Sequence, residues 1–255
     1  MADLIKTERS GAVLTLRFNR PEKKNAITAA MYASLAEGLR KADADPTVRV
    51  VVLTGSGDTF TAGNDLKDFA EYPPKNSAAP VFQFMYALAE FQKPVIAAVN
   101  GPAIGIGTTL LLHVDVAVAV DEATFALPFV NLALVPEFAS SLLLPRFIGN
   151  RKAQELLLSG QAFDAETAWS LGLIGTVIEA EDLEDSVKRM AANLVSKPPE
   201  ALRATKALLR ADLGDIKAAI AAEAKVFGQR LESDEVKEAI SAFFAKRKPD
   251  FSKFS

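Results

Sequence analysis

The chain has no cysteine and a single histidine among its 255 residues. The first absence excludes disulfides, thiolate metal sites and a cysteine nucleophile. One histidine, His113, cannot build a multi-histidine metal site, and its place between Leu112 and Val114 reads as a packed or capping residue rather than a catalytic one. No metal is expected. An excess of charge of one sign is also missing: 29 Lys and Arg face 32 Asp and Glu, a net charge of −3, so neither nucleic acid nor an anionic membrane is expected as a partner. No window reaches the roughly 18 apolar residues of a membrane-spanning helix, and Met1–Lys6 has no basic segment leading into an apolar one. A soluble, cytoplasmic protein is the expectation. Repeats and low-complexity segments are absent as well, which argues against a solenoid.

What is present is 49% hydrophobic residues, enough to bury a sizeable α/β core. The chain is organised around Pro94–Leu112. Val95–Val99 is a short apolar run rich in β-branched residues, Asn100–Gly107 is turn chemistry with three glycines and a proline, and Thr108–Leu112 opens an apolar helical pattern. Such a strand, loop and helix N-terminus aims unpaired backbone N–H groups at one place, which suits a phosphate, a carboxylate or a developing oxyanion. An ordinary strand-to-helix connection would carry the same glycines. A second passage of this kind, Gly55–Leu66, follows the apolar strand Val48–Thr54, whose near-continuous run suits a parallel strand covered on both faces.

The remaining chain fits around these two passages. Leu4–Asn19 reads as a hairpin turning at Ser10-Gly11, and Thr28 can cap a helix from Ala29 to Asp43 with Met31, Leu35 and Leu39 on one face. The polar segment Glu71–Pro80 reads equally as a surface loop or as a lid. A helix Val81–Phe91 precedes the central strand, and Val114–Val120 and Ala123–Pro128 follow as strands. This strand-helix-strand rhythm predicts right-handed crossovers and a largely parallel sheet, with both turns at one end of adjacent strands. From Ala139 the chain turns helical: Ala139–Phe147, Asn150–Ser159, Ala165–Leu171, Leu183–Ser196, Pro199–Leu213 and a long stretch Gly214–Lys246, with a short strand in Leu173–Ile178. The division predicted is an α/β core at 1–195 and a C-terminal helical region at 196–255, apolar on one face and charged on the other, of the kind that packs on the core or, as an oligomerisation region, on a neighbouring subunit.

Several motifs in order resemble the enoyl-CoA hydratase/isomerase (crotonase) superfamily over essentially the whole chain. They are Arg20-Pro21 with Asn25-Ala26, Phe60–Leu66, Lys93–Gly101, Phe125 with Pro128, Gly160, Ala168–Leu173, and Phe243–Phe251. The resemblance implies a spiral-like core of ββα units, a helical trimerisation region, and an acyl-CoA thioester as substrate, so that coenzyme A enters with the substrate and no separate cofactor is needed. It implies an oxyanion hole made by the backbone N–H groups of Asn64 and Ile106, where the side chains should matter less than the turns. It sets Lys23, Lys24, Ala62, Asp65 and Leu66 against the adenine and pantetheine parts of CoA. Phe243 and Lys246 would stand near the nucleotide, on this or a neighbouring subunit; the Lys246-Arg247-Lys248 run also reads as a solvated basic end.

Hydratases of this family use two glutamates, at positions that here carry Thr109 and Phe129. Neither can act as a base, and losing a positioned acid or base costs about 10²–10⁴ in rate. One carboxylate lies near, Glu137 in Leu134–Ser141. Its apolar neighbours argue for burial and a raised pKa, as a proton shuttle needs; beside Pro136 it reads equally as a carboxylate favourable to a helix N-terminus. The resemblance tips the choice, because the chain looks most like the 3,2-enoyl-CoA isomerase branch, in which a Pro-Glu pair at this point supplies the single base. That implies moving a 3-enoyl-CoA double bond to the 2-position, in fatty-acid or related acyl-CoA degradation, by a homotrimer or hexamer. Phe129, Leu132 and Phe138 would suit a dry pocket or plain core packing. A hydratase, another reaction of the superfamily such as isomerisation of a ring-derived CoA ester, and an inactive acyl-CoA-binding relative remain as alternatives.

Overall fold

A strand with strictly alternating burial, β2 (Val13–Phe18), starts the sheet, pairing antiparallel with β1 (Ile5–Ser10) as the expected hairpin. The computed structural model describes residues 3–74 and 76–254; Met1 and Ala2 of the N-terminal segment and Lys75 of the expected lid or loop lie outside them. Thr28 accepts from the Met31 amide at 3.4 Å and caps α1 (Ala29–Ala44), whose Met31, Leu35 and Leu39 are buried. Then come β3 (Val50–Gly55), α2 (Leu66–Glu71), α3 (Pro80–Ala89) and β4 (Val95–Val99). The second turn passage holds the two-residue β5 (Ala103–Ile104) and α4 (Ile106–Thr109), one helical turn that tightens into a 3-10 turn over Leu110–His113. They lead into β6 (Val116–Val120) and β7 (Thr124–Ala126).

The helical half contains α5 (Ser140–Ile148), α6 (Asn150–Ser159), α7 (Ala165–Ser170), α8 (Leu183–Val195), α9 (Pro199–Leu209), α10 (Leu213–Leu231) and α11 (Asp234–Phe244). Two short strands interrupt it, β8 (Ala162–Asp164) and β9 (Thr176–Ile178).

The main sheet runs β1-β2-β3-β4-β6-β9, parallel in every pairing except the first. Its central strands β3 and β4 are buried throughout because both faces are covered. One face, with Val51, Leu53, Ala97 and Val99, joins the main core with α1 and α3; the other, with Val50, Val52, Ile96 and Val118, packs on Val187 and Ala191 of α8. The fold is thus α/β with mixed sheets and C-terminal helices. A buried node ties α9 to the core: Lys206 donates to Asp115 and to the Lys93 carbonyl, both at 2.7 Å.

Three features depart from expectation. A second sheet, β5-β7-β8, is present; its strands of two and three residues are too short to show a hydrophobic period. The helix expected over Pro199–Leu213 ends at Leu209, and the last long stretch is two helices, since Ser233 caps the Val236 amide at 3.3 Å and starts α11. Glu137 lies ahead of α5, in line with the helix start expected at Ala139.

Candidate active site

Two turns meet at the carboxyl ends of β3 and β4. Thr61 pairs with the second turn through its amide to the Pro102 carbonyl at 3.1 Å and its carbonyl to the Ile104 amide at 3.0 Å. Gly63 is required by this approach: its φ is 85°, and a Cβ there would stand 2.8 Å from the Ile104 carbonyl oxygen. Gly105, at φ 58°, then swings the chain into α4. Asn25, fully buried, latches the first turn by donating to the Ser56 and Thr59 carbonyls at 2.9 and 2.6 Å while accepting the Arg20 amide at 2.9 Å. The Arg20 to Asn25 motif is therefore scaffolding for the turn.

The amides of Asn64 and Ile106 emerge from these turns. Their neighbours are committed, Asp65 N–H to the Ile27 carbonyl at 2.9 Å and Gly105 N–H to Ala126 at 2.9 Å, while among the described residues neither the Asn64 nor the Ile106 N–H has an acceptor. Ile106 opens α4, so no carbonyl of that helix can reach it. Both residues line a cavity of about 1050 Å³. Lys23, Lys24, Ala62, Asp65, Leu66, Phe129 and Phe243 line the same cavity; Lys246, past the end of α11, does not. Missing from the expectation are Phe69 of α2 and Phe227 of α10, whose rings meet edge to face at 5.8 Å on its wall.

Two carboxylates stand near this wall, and they are held differently. Asp65 accepts from the Lys67 and Asp68 amides at 3.0 and 3.1 Å as the cap of α2, and from Arg20 at 2.5 Å. Burial pushes its carboxyl up, but Arg20 and the two amides outweigh that and leave it below the ordinary range. Three hydrogen bonds thus hold it to the turn.

Glu137 is 6% exposed and, among the described residues, pairs with no cation. Burial, with the Glu223 carboxylate adding to it, pushes Glu137 up to about 8, against the weaker pull of the Thr109 hydroxyl and the Asn64 side chain. The Thr109 hydroxyl donates to its Oε1 at 3.5 Å. It lines a small cavity of about 10 Å³ that shares Phe69 and Phe227 with the large one. The reading of Glu137 as a helix N-terminal carboxylate is corrected here. That place belongs to Glu223 of α10, which accepts from the Ala139 and Ser141 amides at 2.6 and 2.9 Å.

The Asn64 side chain is not idle, contrary to expectation. Tyr32 Oη donates to Asn64 Oδ1 at 2.5 Å, which turns the amide NH₂ of Asn64 toward Glu137. Burial first, then the Glu137 and Asp68 charges, hold the Tyr32 phenol well above its ordinary value, so it remains a donor. Tyr32 sits among the buried apolar residues of α1, where periodicity marks it only as core. His113 is buried as expected. Burial drives its pKa down to about 3, and its Nε2 donates to the Phe138 carbonyl at 2.8 Å while its ring stacks on Phe138 at 3.8 Å. Among the described residues no cluster of side chains could hold a metal ion, and no helix is long and apolar enough to cross a membrane.

A family model described as Enoyl-CoA hydratase/isomerase matches residues 8–253. Enoyl-CoA delta isomerase 2 of Rattus norvegicus is 37% identical over 244 residues, 93% of this chain, which spans 62% of that protein's length. The 2,3-dehydroadipyl-CoA hydratase of Escherichia coli (strain K12) is 36% identical over 256 residues, 98% of this chain and 99% of that protein. The solved structure of Pseudomonas aeruginosa OdaA superposes with a TM-score of 0.93 at 48% identity, covering 95% of this chain and 99% of that one. An isomerase and a hydratase stand at nearly equal identity, so likeness alone does not choose a reaction. Turns, sheet order and sequence together make this chain a member of the enoyl-CoA hydratase/isomerase (crotonase) family.

Proposed function

We propose that this chain is a 3,2-enoyl-CoA isomerase acting in the cytoplasm on acyl-CoA thioesters. The observation that carries the reading is a buried carboxyl with no cation partner among the described residues, Glu137, approached by Thr109 and the Asn64 side chain and sharing the Phe69 and Phe227 wall with the cavity lined by Asn64 and Ile106, whose backbone N–H groups have no acceptor; by the resemblance, Thr109 and Phe129 hold the positions of a hydratase's glutamates. In a 3-enoyl thioester the α-protons are acidified by both the carbonyl and the adjacent double bond. The ionised Glu137 takes one of them, the C–H electrons shift into the π system, and the negative charge gathers on the thioester oxygen as a dienolate. The Asn64 and Ile106 N–H groups receive that charge; donors aimed at a developing oxyanion contribute roughly 3–4 kcal/mol each. Glu137, now a carboxylic acid, returns the proton to the γ-carbon, and the double bond ends in conjugation with the thioester. Atoms balance without water.

The apolar surroundings serve this chemistry in two ways. They keep the pKa of Glu137 near the operating pH, where one group can both accept and donate a proton, and Phe129 with Phe69 and Phe227 keeps water from the dienolate. In this reading the CoA portion runs along Lys23, Lys24, Ala62, Asp65 and Leu66, with Phe243 and Lys246 toward the nucleotide. The chain works as a homotrimer or hexamer, a reading supported by the apolar surface that a lone subunit leaves exposed: Leu208 and Leu209 of α9 are 79% and 80% accessible, and Leu158 is 73%.

The test compares two thioesters. A 3-enoyl-CoA should gain the absorbance of a conjugated enoyl thioester on addition of the protein, whereas crotonyl-CoA should keep its own. Loss of crotonyl-CoA absorbance at a comparable rate would make the protein a hydratase; binding of both without turnover would make it an inactive relative.

A further inference from the structure

Immediately after Glu137, two consecutive residues that are not glycine, Phe138 and Ala139, take left-handed φ angles of 59° and 55°. Neither side chain favours that conformation, so contacts from outside the turn must impose it. On one side stands His113, with its bond to the Phe138 carbonyl and its stacked ring. On the other stands Glu223. Its Oε2 accepts the Ala139 amide at 2.6 Å, and its Oε1 accepts the Ser141 amide at 2.9 Å and the Ser141 hydroxyl at 2.5 Å. Burial pushes the Glu223 carboxyl up, and the three donors converging on its two oxygens pull the other way, toward the ionised carboxylate. Glu223 is 9% exposed and forms none of the salt bridges of the described residues. A buried charge without a cation is a costly way to serve a helix N-terminus, a job that a local Ser or Asp commonly does.

We propose that Glu223 is a positioning residue for Glu137: from α10 it locks the Phe138-Ala139 turn and so holds the Glu137 carboxyl against Thr109 and the Asn64 side chain. This rests on the reading of Glu137 as the base. A second effect follows from the same placement. Both carboxyls line the cavity of about 10 Å³ between α3 and α10, whose wall includes Phe69, Phe82, Met85, Ile220 and Phe227 and where little water can screen them. The Glu223 charge therefore opposes ionisation of Glu137. The other groups around Glu137 leave this charge unopposed. Tyr32 from α1 stays a neutral phenol, Asp68 of α2 adds a further negative charge behind it, His113 stays neutral, and Thr109 and Asn64 are uncharged donors. A link of this kind makes the base depend on how α10 is docked.

The experiment uses the full chain with glutamate carboxyls labelled with carbon-13. The resonance absent from Glu137→Gln identifies Glu137, whose midpoint should lie near 8 in the wild type. Glu223→Gln keeps the shape but removes the charge and one acceptor; Glu223→Asp keeps the charge and withdraws it by a methylene. In Glu223→Gln the Glu137 midpoint should move toward acid by roughly half a unit or more. In both variants kcat with a 3-enoyl-CoA should fall at least about tenfold, with KM little changed. Should Glu223→Gln fail to fold, Glu223→Asp carries the test through kcat and KM. A residue that only stabilised α5 would lower the melting temperature and leave both readouts alone. A folded variant with wild-type kcat overturns the positioning role, and an unmoved midpoint in Glu223→Gln overturns the electrostatic one. The resonance reads Glu137 whatever the substrate, whereas a folded Glu137→Gln with wild-type turnover would remove the reading beneath the proposal.

Discussion

Replacing Glu137 by Gln should stabilise the protein, and increasingly so as pH rises. In an unfolded chain a glutamate titrates near 4.5, while buried in this fold Glu137 titrates at about 8. Below 4.5 the group is protonated in both states and its burial costs no charge. Between the two values the folded state keeps a proton that the unfolded state has released, so stability falls with rising pH by about 1.4 kcal/mol per unit. Above about 8 the loss is complete, at an upper bound of roughly 5 kcal/mol. Glutamine at this site does not titrate and still offers an acceptor to Thr109. Urea unfolding of both proteins at pH 5 and 8.5, at equal concentration because association adds to apparent stability, isolates the effect. Relative to wild type, the variant should gain roughly 3–4 kcal/mol between the two conditions. A difference that stays constant with pH would mean that Glu137 is not a carboxyl held protonated by burial, and the argument for its role would fail.

Gly63→Ala would press a Cβ to 2.8 Å from the Ile104 carbonyl at a φ of 85° and pry the two turns apart. With one oxyanion donor displaced, kcat should fall about 10²–10³-fold while circular dichroism is kept; unchanged turnover in a folded protein would put the hole elsewhere. Tyr32→Phe removes the hydroxyl that orients Asn64 at 2.5 Å. Steady-state kinetics should show kcat down roughly tenfold with KM little moved. Light scattering at micromolar concentration should give a trimer or a pair of trimers that buries Leu208 and Leu209, and a monomer would refute that assembly.

The parts of the fold legible in the sequence are those whose residues answer to their immediate surroundings. The run Val50–Leu53 is apolar because both sheet faces are covered, and that cause shows in the sequence as plainly as in the structure. The two turns were legible for a similar reason: Gly63 and Gly105 are demanded by local backbone angle and close approach. What was not legible depends on distant chain. Strand β8 owes its place to pairing with β7 rather than to a period of its own. In the sequence Glu137 reads equally as a base or a helix-end carboxylate, because what serves the α5 end is Glu223, from distant α10. Tyr32 has the spacing of a core residue and is one, apart from its hydroxyl. Glu223 was not legible because the Ala139 and Ser141 amides it serves lie far away in sequence, and its own helix reads only as apolar on one face.

The central claim is that Glu137 alone carries the proton in a double-bond shift. Its most direct test measures Glu137→Gln twice, by calorimetric binding of a non-reacting acyl-CoA and by turnover of a 3-enoyl-CoA that the wild type isomerises well. The account requires binding nearly as tight as wild type and turnover reduced by roughly 10² or more. Isomerisation at the wild-type rate would contradict it and send the search to another carboxylate.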